Sequence, residues 1–201
     1  MPLQSRVTPV GDLIATPARG LLMGNRGGRL HDAKRKLTAR RWTSKAWICC
    51  KLDFNNRHRT VWGNSYTELF FLDEVTAFAA GHRPCFECRR KDAEAFAKLF
   101  SGRAERATAA AMDKVLHAER LSGKGKRLHR RPIDALPDGA MVALAGDAFA
   151  LHGSRLLRWT PSGYADPRPR PRAGDVDVLT PPSLLAVLAA GYRPLWHPSA
   201  A

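Results

Sequence analysis

The sequence predicts an α+β fold of two parts: a small domain with a β-hairpin and a helix, then a β-rich domain of short strands with a C-terminal helix. Residues 66–90 have the pattern of a strand, a capped helix, a glycine stop and a Cys-x2-Cys turn. Short apolar segments separated by turn signals follow between 139 and 179. Strands and helices grouped in this way along a chain are typical of an α+β fold.

Length and composition limit the classes of protein that this chain can form. Its 201 residues are 44% hydrophobic, enough to bury the core of one domain or two small ones. No apolar run reaches the length of a membrane span, and no leader pattern opens the chain, so we expect a cytoplasmic protein without a membrane partner. The net charge of +15 predicts a polyanionic partner, for which we expect DNA, with RNA as the alternative.

The predicted domain boundary lies in a basic segment that contains glycines. We expect a first domain at 1–121, a mobile linker at 122–132 and a β-rich domain at 133–201. The last domain ends in a strand, a helix and Gly-Tyr-Arg-Pro, so that residues 188–194 repeat the corner at 78–84. The second corner lacks the cysteines of the first, and we expect no metal site there.

The cysteines indicate metal coordination. Cys85 and Cys88 follow Pro84 with the spacing at which a tight turn presents two thiolates to one ion. In a chain expected in a reducing compartment, this spacing favours Zn²⁺ over a disulfide. The sequence therefore predicts a small zinc-knuckle domain.

The two other cysteines, Cys49 and Cys50, lie in a predicted hairpin of residues 46–54 and 57–62 that turns at two asparagines. Alternation along a strand places Cys50 on the apolar side and Cys49 on a side that faces solvent or a partner. We therefore expect Cys50 to be the third ligand. The fourth stays open among His58, His82, water and, on a bulged strand, Cys49 itself.

The segment around the knuckle resembles the zinc-binding N-terminal domain of Ada, the bacterial protein that takes methyl groups from DNA phosphotriesters. The resemblance covers roughly residues 42–92, with 47–50 similar to the family's first-cysteine segment. The matching corner and knuckle residues are Ala80, Gly81, Arg83, Pro84, Cys85, Cys88 and Arg89, and His82 stands at the family's aromatic position. The resemblance implies a zinc-stabilised DNA-binding protein linked to DNA repair or to recognition of modified DNA.

Basic residues with an interleaved aromatic residue predict the nucleic-acid-binding surface, because cations meet phosphates and an aromatic ring can meet a base. The candidate residues are Lys34, Arg35, Lys36, Arg40, Arg41, Trp42, Lys45 and, on the corner, Arg83. The alternative is a solvated face with Trp42 turned into the core.

One predicted helix at 109–121 carries an acid/base grouping. Asp113, His117 and Arg120 follow one another at i, i+4 and i+7, so a carboxylate can orient an imidazole beside a cation. The alternative function is a nucleic-acid hydrolase or glycosylase with structural zinc, in which Asp113, His117, Glu119 or Glu68 supplies the catalytic groups. A structural salt-bridge face explains the same spacing, and the sequence leaves open whether the protein is an enzyme.

Overall fold

The computed structural model of the protein describes residues 1–57, 60–102 and 105–201. Within these ranges the chain forms two six-stranded sheets, a two-stranded hairpin and four α-helices. The predicted α+β class is therefore confirmed. None of the helices in the described ranges combines the length and the apolar character needed to cross a membrane.

The first sheet is mixed and has the strand order β2-β1-β5-β3-β4-β6. The pairs β1–β5 and β4–β6 are parallel, and the other neighbours are antiparallel. Its strands are β1 Arg6–Val7, β2 Leu13–Ile14, β3 Leu22–Asn25, β4 Ile48–Lys51, β5 Leu69–Phe71 and β6 Arg83–Pro84.

The second sheet is antiparallel throughout, in the order β13-β12-β11-β10-β14-β9. Its strands are β9 His129–Pro132, β10 Met141–Leu144, β11 Asp147–His152, β12 Arg155–Thr160, β13 Gly163–Pro169 and β14 Asp175–Val178. The separate hairpin pairs β7 Leu121–Ser122 with β8 Gly125–Lys126. Two 3₁₀ turns occupy Ile133–Ala135 and Pro198–Ala200.

The helices are α1 Glu74–Ala79, α2 Arg90–Ser101, α3 Ala109–Arg120 and α4 Pro182–Ala189. Every residue of α1 is buried. Ala77 packs against the first sheet, Val75 against the second sheet and Phe78 against the other helices. The helix therefore has no polar stripe that faces solvent, and its two polar residues, Glu74 and Thr76, have buried hydrogen-bond partners.

Both predicted corners form, and they form in the same way. Gly81 and Gly191 adopt left-handed conformations with φ of 84° and 101°, and each follows an alanine that ends a helix. The next backbone N–H turns back to the helix in both cases, from His82 to Ala77 O and from Tyr192 to Val187 O. The repeat is thus a repeated helix stop.

The predicted hairpin of 46–54 with 57–62 is wrong. Strand β4 pairs instead with β3 and β6, both distant in sequence. The turn chemistry itself is present, because Asn55 and Asn56 have positive φ values of 54° and 50°. A tight turn therefore forms there, but β4 finds its partners elsewhere.

The segment at 122–132, predicted to be a mobile linker, is instead built into strands. It contains β8, and β9 pairs along its whole length with β14. One buried apolar cluster also combines Leu72 and Val75 with Met141, Leu157 and Leu179, residues from both sides of this segment. The two predicted domains therefore share a core.

The N-terminus of α1 holds the C-terminal corner by polar contacts. Asp73 caps α1 at Thr76 N (2.9 Å) and also accepts hydrogen bonds from Tyr164 Oη (2.9 Å) and His197 N (3.1 Å). Burial raises the pKa of Asp73, and these hydrogen bonds act against that shift. Glu74 accepts from Tyr192 Oη (3.0 Å) and forms a buried ion pair with Arg89 (2.7 Å).

We predict that Glu74→Gln lowers the free energy of unfolding by about 3 kcal/mol, because it removes the buried carboxylate that Arg89 binds and leaves the guanidinium only the half-exposed Asp92. The measurement is urea unfolding followed by tryptophan fluorescence, with zinc in excess. Glu94→Gln is the control: it removes a partly exposed carboxylate that pairs with the exposed Arg90 and Arg106, and its effect should stay within about 1 kcal/mol. Equal effects of the two variants would contradict the role given to the buried pair.

Candidate metal centre

The parallel pair β4–β6 brings the first cysteine segment to the knuckle. Cys49 is the register partner of Pro84, and Cys85 N donates a hydrogen bond to Cys49 O at 3.0 Å. The chain then turns through Cys88 into α2, with Arg89 N donating to Cys85 O. The knuckle is thus attached to the edge of the first sheet by backbone hydrogen bonds.

The thiols of Cys50, Cys85 and Cys88 form one group, with their sulfur atoms within 4.8 Å of one another. Backbone N–H groups point at two of them: Glu87 N donates to Cys85 Sγ and Lys51 N to Cys88 Sγ, both at 3.4 Å. Such donors stabilise negative charge on sulfur. These residues lie close enough to hold a metal ion, and the prediction of Cys50 as partner of the knuckle agrees with this group.

The thiols perturb one another strongly. The contact between Cys50 and Cys85 lowers the pKa of Cys85, whose sulfur accepts the hydrogen bond, and raises the pKa of Cys50, whose thiol donates it. One negative charge is therefore favoured in the group and a second is disfavoured. A divalent cation removes this conflict, because it compensates the charge of several thiolates at once.

Cys49 does not belong to the group. Its side chain has no exposed surface and packs with Leu69 and Phe71 in the core beneath α1. Arg89 Nη1 donates to Cys49 Sγ at 3.3 Å, and burial raises the pKa of Cys49, so the thiol stays neutral. The expectation that Cys49 faces solvent or a partner is wrong, since the face it shares is the core face of the sheet.

The candidates for the fourth ligand do not join the group either. His82 is fully buried between Trp47 and Phe71, where Arg26 Nε donates to His82 Nε2 (3.4 Å). Burial, followed by Arg26 and Arg120, lowers the pKa of His82 well below its usual value. His58 lies outside the described residues. Among the described residues the group thus contains three sulfur ligands and no fourth side chain.

Two buried arginines fix Trp47 at the start of β4. The guanidinium carbons of Arg26 and Arg120 lie 4.0 and 3.9 Å from the centroid of the Trp47 ring, within cation–π range. Burial lowers the pKa of both to about 9. Arg26 also donates to Gly11 O and His82 Nε2, and Arg120 donates to Gly81 O and Lys45 O and contacts His117. They bind Trp47 to the loops around it.

A cavity of about 350 Å³ lies on the outer face of the first sheet, opposite α1. Strand register puts Met23 beside both Cys50 and Phe70, and these half-buried side chains line the cavity. Cys85 and Cys88 line it as well. The thiol group therefore forms part of the cavity wall.

Glu68 lines the same cavity and is only 3% exposed. Trp62 N donates to Glu68 Oε2 at 2.7 Å, and Trp62 Nε1 donates to Glu68 O at 2.8 Å. The other carboxylate oxygen, Oε1, is buried and has no hydrogen-bond partner among the described residues. A carboxylate with one fixed and one unpartnered oxygen thus stands in the cavity wall.

The predicted acid/base trio does share a helix face, but its members have structural partners. Asp113 binds Arg83 through two hydrogen bonds of 2.8 Å, both side chains being buried. His117 Nδ1 contacts Arg120 Nη2 at 3.0 Å, and burial lowers its pKa. The salt-bridge alternative therefore explains Asp113.

Glu119 has a structural partner too. Its carboxylate accepts from Ser183 N (2.9 Å) and Ser183 Oγ (2.7 Å) in the first turn of α4. An acidic group at this position stabilises the helix N-terminus. The structure thus assigns Glu119 to the packing of α3 against α4.

The prediction that Arg83 belongs to the nucleic-acid-binding surface is wrong, because its guanidinium is buried against Asp113. The other candidates lie at the surface. Asp32 Oδ1 accepts from Lys34 N and Lys36 N, both at 2.9 Å, and so shapes a loop whose cationic side chains are exposed. Trp42 is half-buried with its ring against His117. The remaining members Arg40 and Lys45 are exposed, and Arg41 pairs with Asp12.

Sequence reasoning missed the cavity and most of its lining. Phe54, Tyr66 and Phe70 all border it, yet they are spread over separate segments. Phe70 of β5 and Cys50 of β4 come close because both are register partners of Met23, on the strand β3 that lies between them. Because the strand order is set by pairing between strands that are distant in sequence, no local pattern in the sequence predicts this cavity.

Comparison with protein-family models, with curated proteins and with solved structures found no match for this chain.

We predict that Cys50→Ser, Cys85→Ser and Cys88→Ser each abolish stoichiometric zinc binding, because each removes one of three sulfur ligands. Cys49→Ala should keep the zinc and lose about 1–2 kcal/mol of stability, since it only truncates a core side chain. Zinc analysis after gel filtration, with thermal unfolding in parallel, measures both. Loss of zinc from Cys49→Ala alone would show that the two neighbouring cysteines have exchanged roles.

Proposed function

We propose that this chain is a zinc protein that binds nucleic acid, DNA in preference to RNA, in connection with repair or with recognition of modified DNA. The observation that carries the proposal is the thiol group of Cys50, Cys85 and Cys88 in a strongly cationic chain. Sulfur ligands in tetrahedral geometry select Zn²⁺ among the common divalent ions. Zinc bound there stabilises the fold, because the ion joins β4 to the knuckle.

The surface loop at 31–37 supports the nucleic-acid part of the proposal. It presents Lys34 and Lys36 to solvent on a backbone held by Asp32, and the pKa of Asp32 is lowered, first by its hydrogen bond from Lys36 N. A preformed cationic loop loses little conformational freedom on binding phosphates. Trp42 is half-buried beside His117, and the basic Lys45, three residues further on, is exposed.

The resemblance to the Ada zinc domain supports the repair part, through the knuckle and the corner before it. Reduced thiols are needed for the group, and all four cysteines are free, which favours a reducing compartment such as the cytoplasm. The hydrolase or glycosylase alternative loses its first candidates, because Asp113 and Glu119 are occupied in structural contacts.

We predict that binding to a DNA duplex or single strand weakens steeply with salt, and that Lys34→Ala, Lys36→Ala and Arg40→Ala together lower the steepness. If each cation meets one phosphate, the slope of log affinity against log salt falls by up to about three. Fluorescence anisotropy at several salt concentrations measures the slope.

The matched control for this experiment removes three exposed positive charges elsewhere, with Lys91→Ala, Lys98→Ala and Arg193→Ala. Its slope should stay close to that of the unmodified protein. Equal slopes for the two triple variants would remove the loop from the proposed interface. An affinity that does not change with salt concentration, or the absence of binding to every polynucleotide tested, would overturn the nucleic-acid function.

A further inference from the structure

The cavity on the outer face of the first sheet has the features of a binding site rather than of a packing defect. Its volume of about 350 Å³ falls within the usual range for pockets that enclose small ligands. On the opposite face of the same sheet, Leu22, Cys49, Leu69 and Phe71 are buried in one cluster with Ala77 of α1. The outer face is only half-covered, so Met23, Cys50 and Phe70 retain accessible surface.

Glu68 supplies the polar recognition group. Its Oε1 is buried without a hydrogen-bond partner among the described residues, although Oε2 is fixed by Trp62 N. An unpartnered buried carboxylate oxygen is costly unless a ligand satisfies it. Because an ionised carboxylate only accepts hydrogen bonds, the matching group on the ligand is an N–H or O–H donor.

Aromatic side chains define the shape of the ligand. Phe54, Tyr66 and Phe70 line the cavity together with Glu68. Aromatic walls favour flat rings, which stack on them or meet their edges. The exposed residue Lys51 also lines the cavity, and its positive charge suits a phosphate attached to such a ring.

We propose that this cavity binds a nucleobase, whose ring N–H or exocyclic amino group donates to Glu68 Oε1 while the ring packs against the aromatic walls. The thiol group of Cys50, Cys85 and Cys88 closes one side of the site. The chemistry fits a free nucleotide and equally an unstacked base of a single strand. That the base belongs to a single-stranded nucleic acid rests on the proposed nucleic-acid function. Recognition of the base itself does not rest on that function.

The test is titration calorimetry of the zinc-loaded protein with cytidine monophosphate, guanosine monophosphate and a short single-stranded oligonucleotide. Glu68→Gln keeps an oxygen for Trp62 N but replaces the unpartnered acceptor of this cavity-lining side chain by an NH₂ donor. It should weaken binding at least about tenfold, since hydrogen bonds to charged groups are strong. Glu105→Gln removes one exposed carboxylate outside the cavity and should leave affinity unchanged. Zinc content should be equal in all three proteins.

A second comparison needs no variant. N4,N4-dimethylcytidine monophosphate keeps the ring and the phosphate of cytidine monophosphate but has no N–H on the exocyclic nitrogen, and it should bind the unmodified protein at least about tenfold more weakly. Equal binding of the two nucleotides would overturn the proposal even if Glu68→Gln fails to fold. Absence of binding by both mononucleotides and by the oligonucleotide would overturn it as well.

The outcomes also separate this inference from the proposed function. Oligonucleotide binding that depends on Lys34 and Lys36 but not on Glu68 would leave the function standing and remove the base site. Mononucleotide binding that depends on Glu68, without salt-dependent binding of any polynucleotide, would support the base site and remove the function. Glu68-dependent binding of the oligonucleotide alone would support the base site with the strand as its carrier.

Discussion

The buried ion pair between Glu74 and Arg89, at 2.7 Å, is the contact on which both the fold and the metal centre depend. Glu74 opens the fully buried helix α1 and also receives Tyr192 Oη and Leu195 N from the C-terminal corner. Arg89 follows the knuckle directly and donates to Cys49 Sγ in the core of the first sheet. One carboxylate and one guanidinium thereby connect the last residues of the chain, the central helix and the cysteine segments. Without Glu74, Arg89 would keep only the half-exposed Asp92 carboxylate, and without Arg89 the carboxylate of Glu74 would be buried without its cation.

The sequence predicted those parts of the fold that depend on local chemistry. Asp73 caps α1, Gly81 and Gly191 stop their helices, and α3 ends within a residue of its predicted range. The partner strands of β4 were not predictable in this way. They are β3 and β6, and the pairing is decided by packing of the whole sheet. The tight turn at Asn55 and Asn56 is a genuine local signal that does not join two paired strands.

The candidate site shows the same limit. Strand alternation correctly separated Cys49 from Cys50, because neighbouring side chains on a strand point to opposite faces. Strand alternation did not show which face of β4 is the core face, since both faces carry apolar side chains beside these cysteines. Cys50 joins the knuckle on the half-covered outer face, whereas Cys49 is buried beneath α1. Burial of Asp113 against Arg83 likewise depends on the packing of α3, which helical spacing alone does not determine.

Zinc K-edge X-ray absorption of the zinc-loaded protein tests most directly whether three sulfur ligands bind the ion beside the cavity. We expect a shell of three sulfur atoms at about 2.3 Å and one lighter oxygen or nitrogen ligand at about 2.0–2.1 Å. That result would mean that Cys50, Cys85 and Cys88 bind the ion and that Cys49 stays in the core. A shell of four sulfur atoms would contradict the account, because Cys49 would then have to leave the core face of β4.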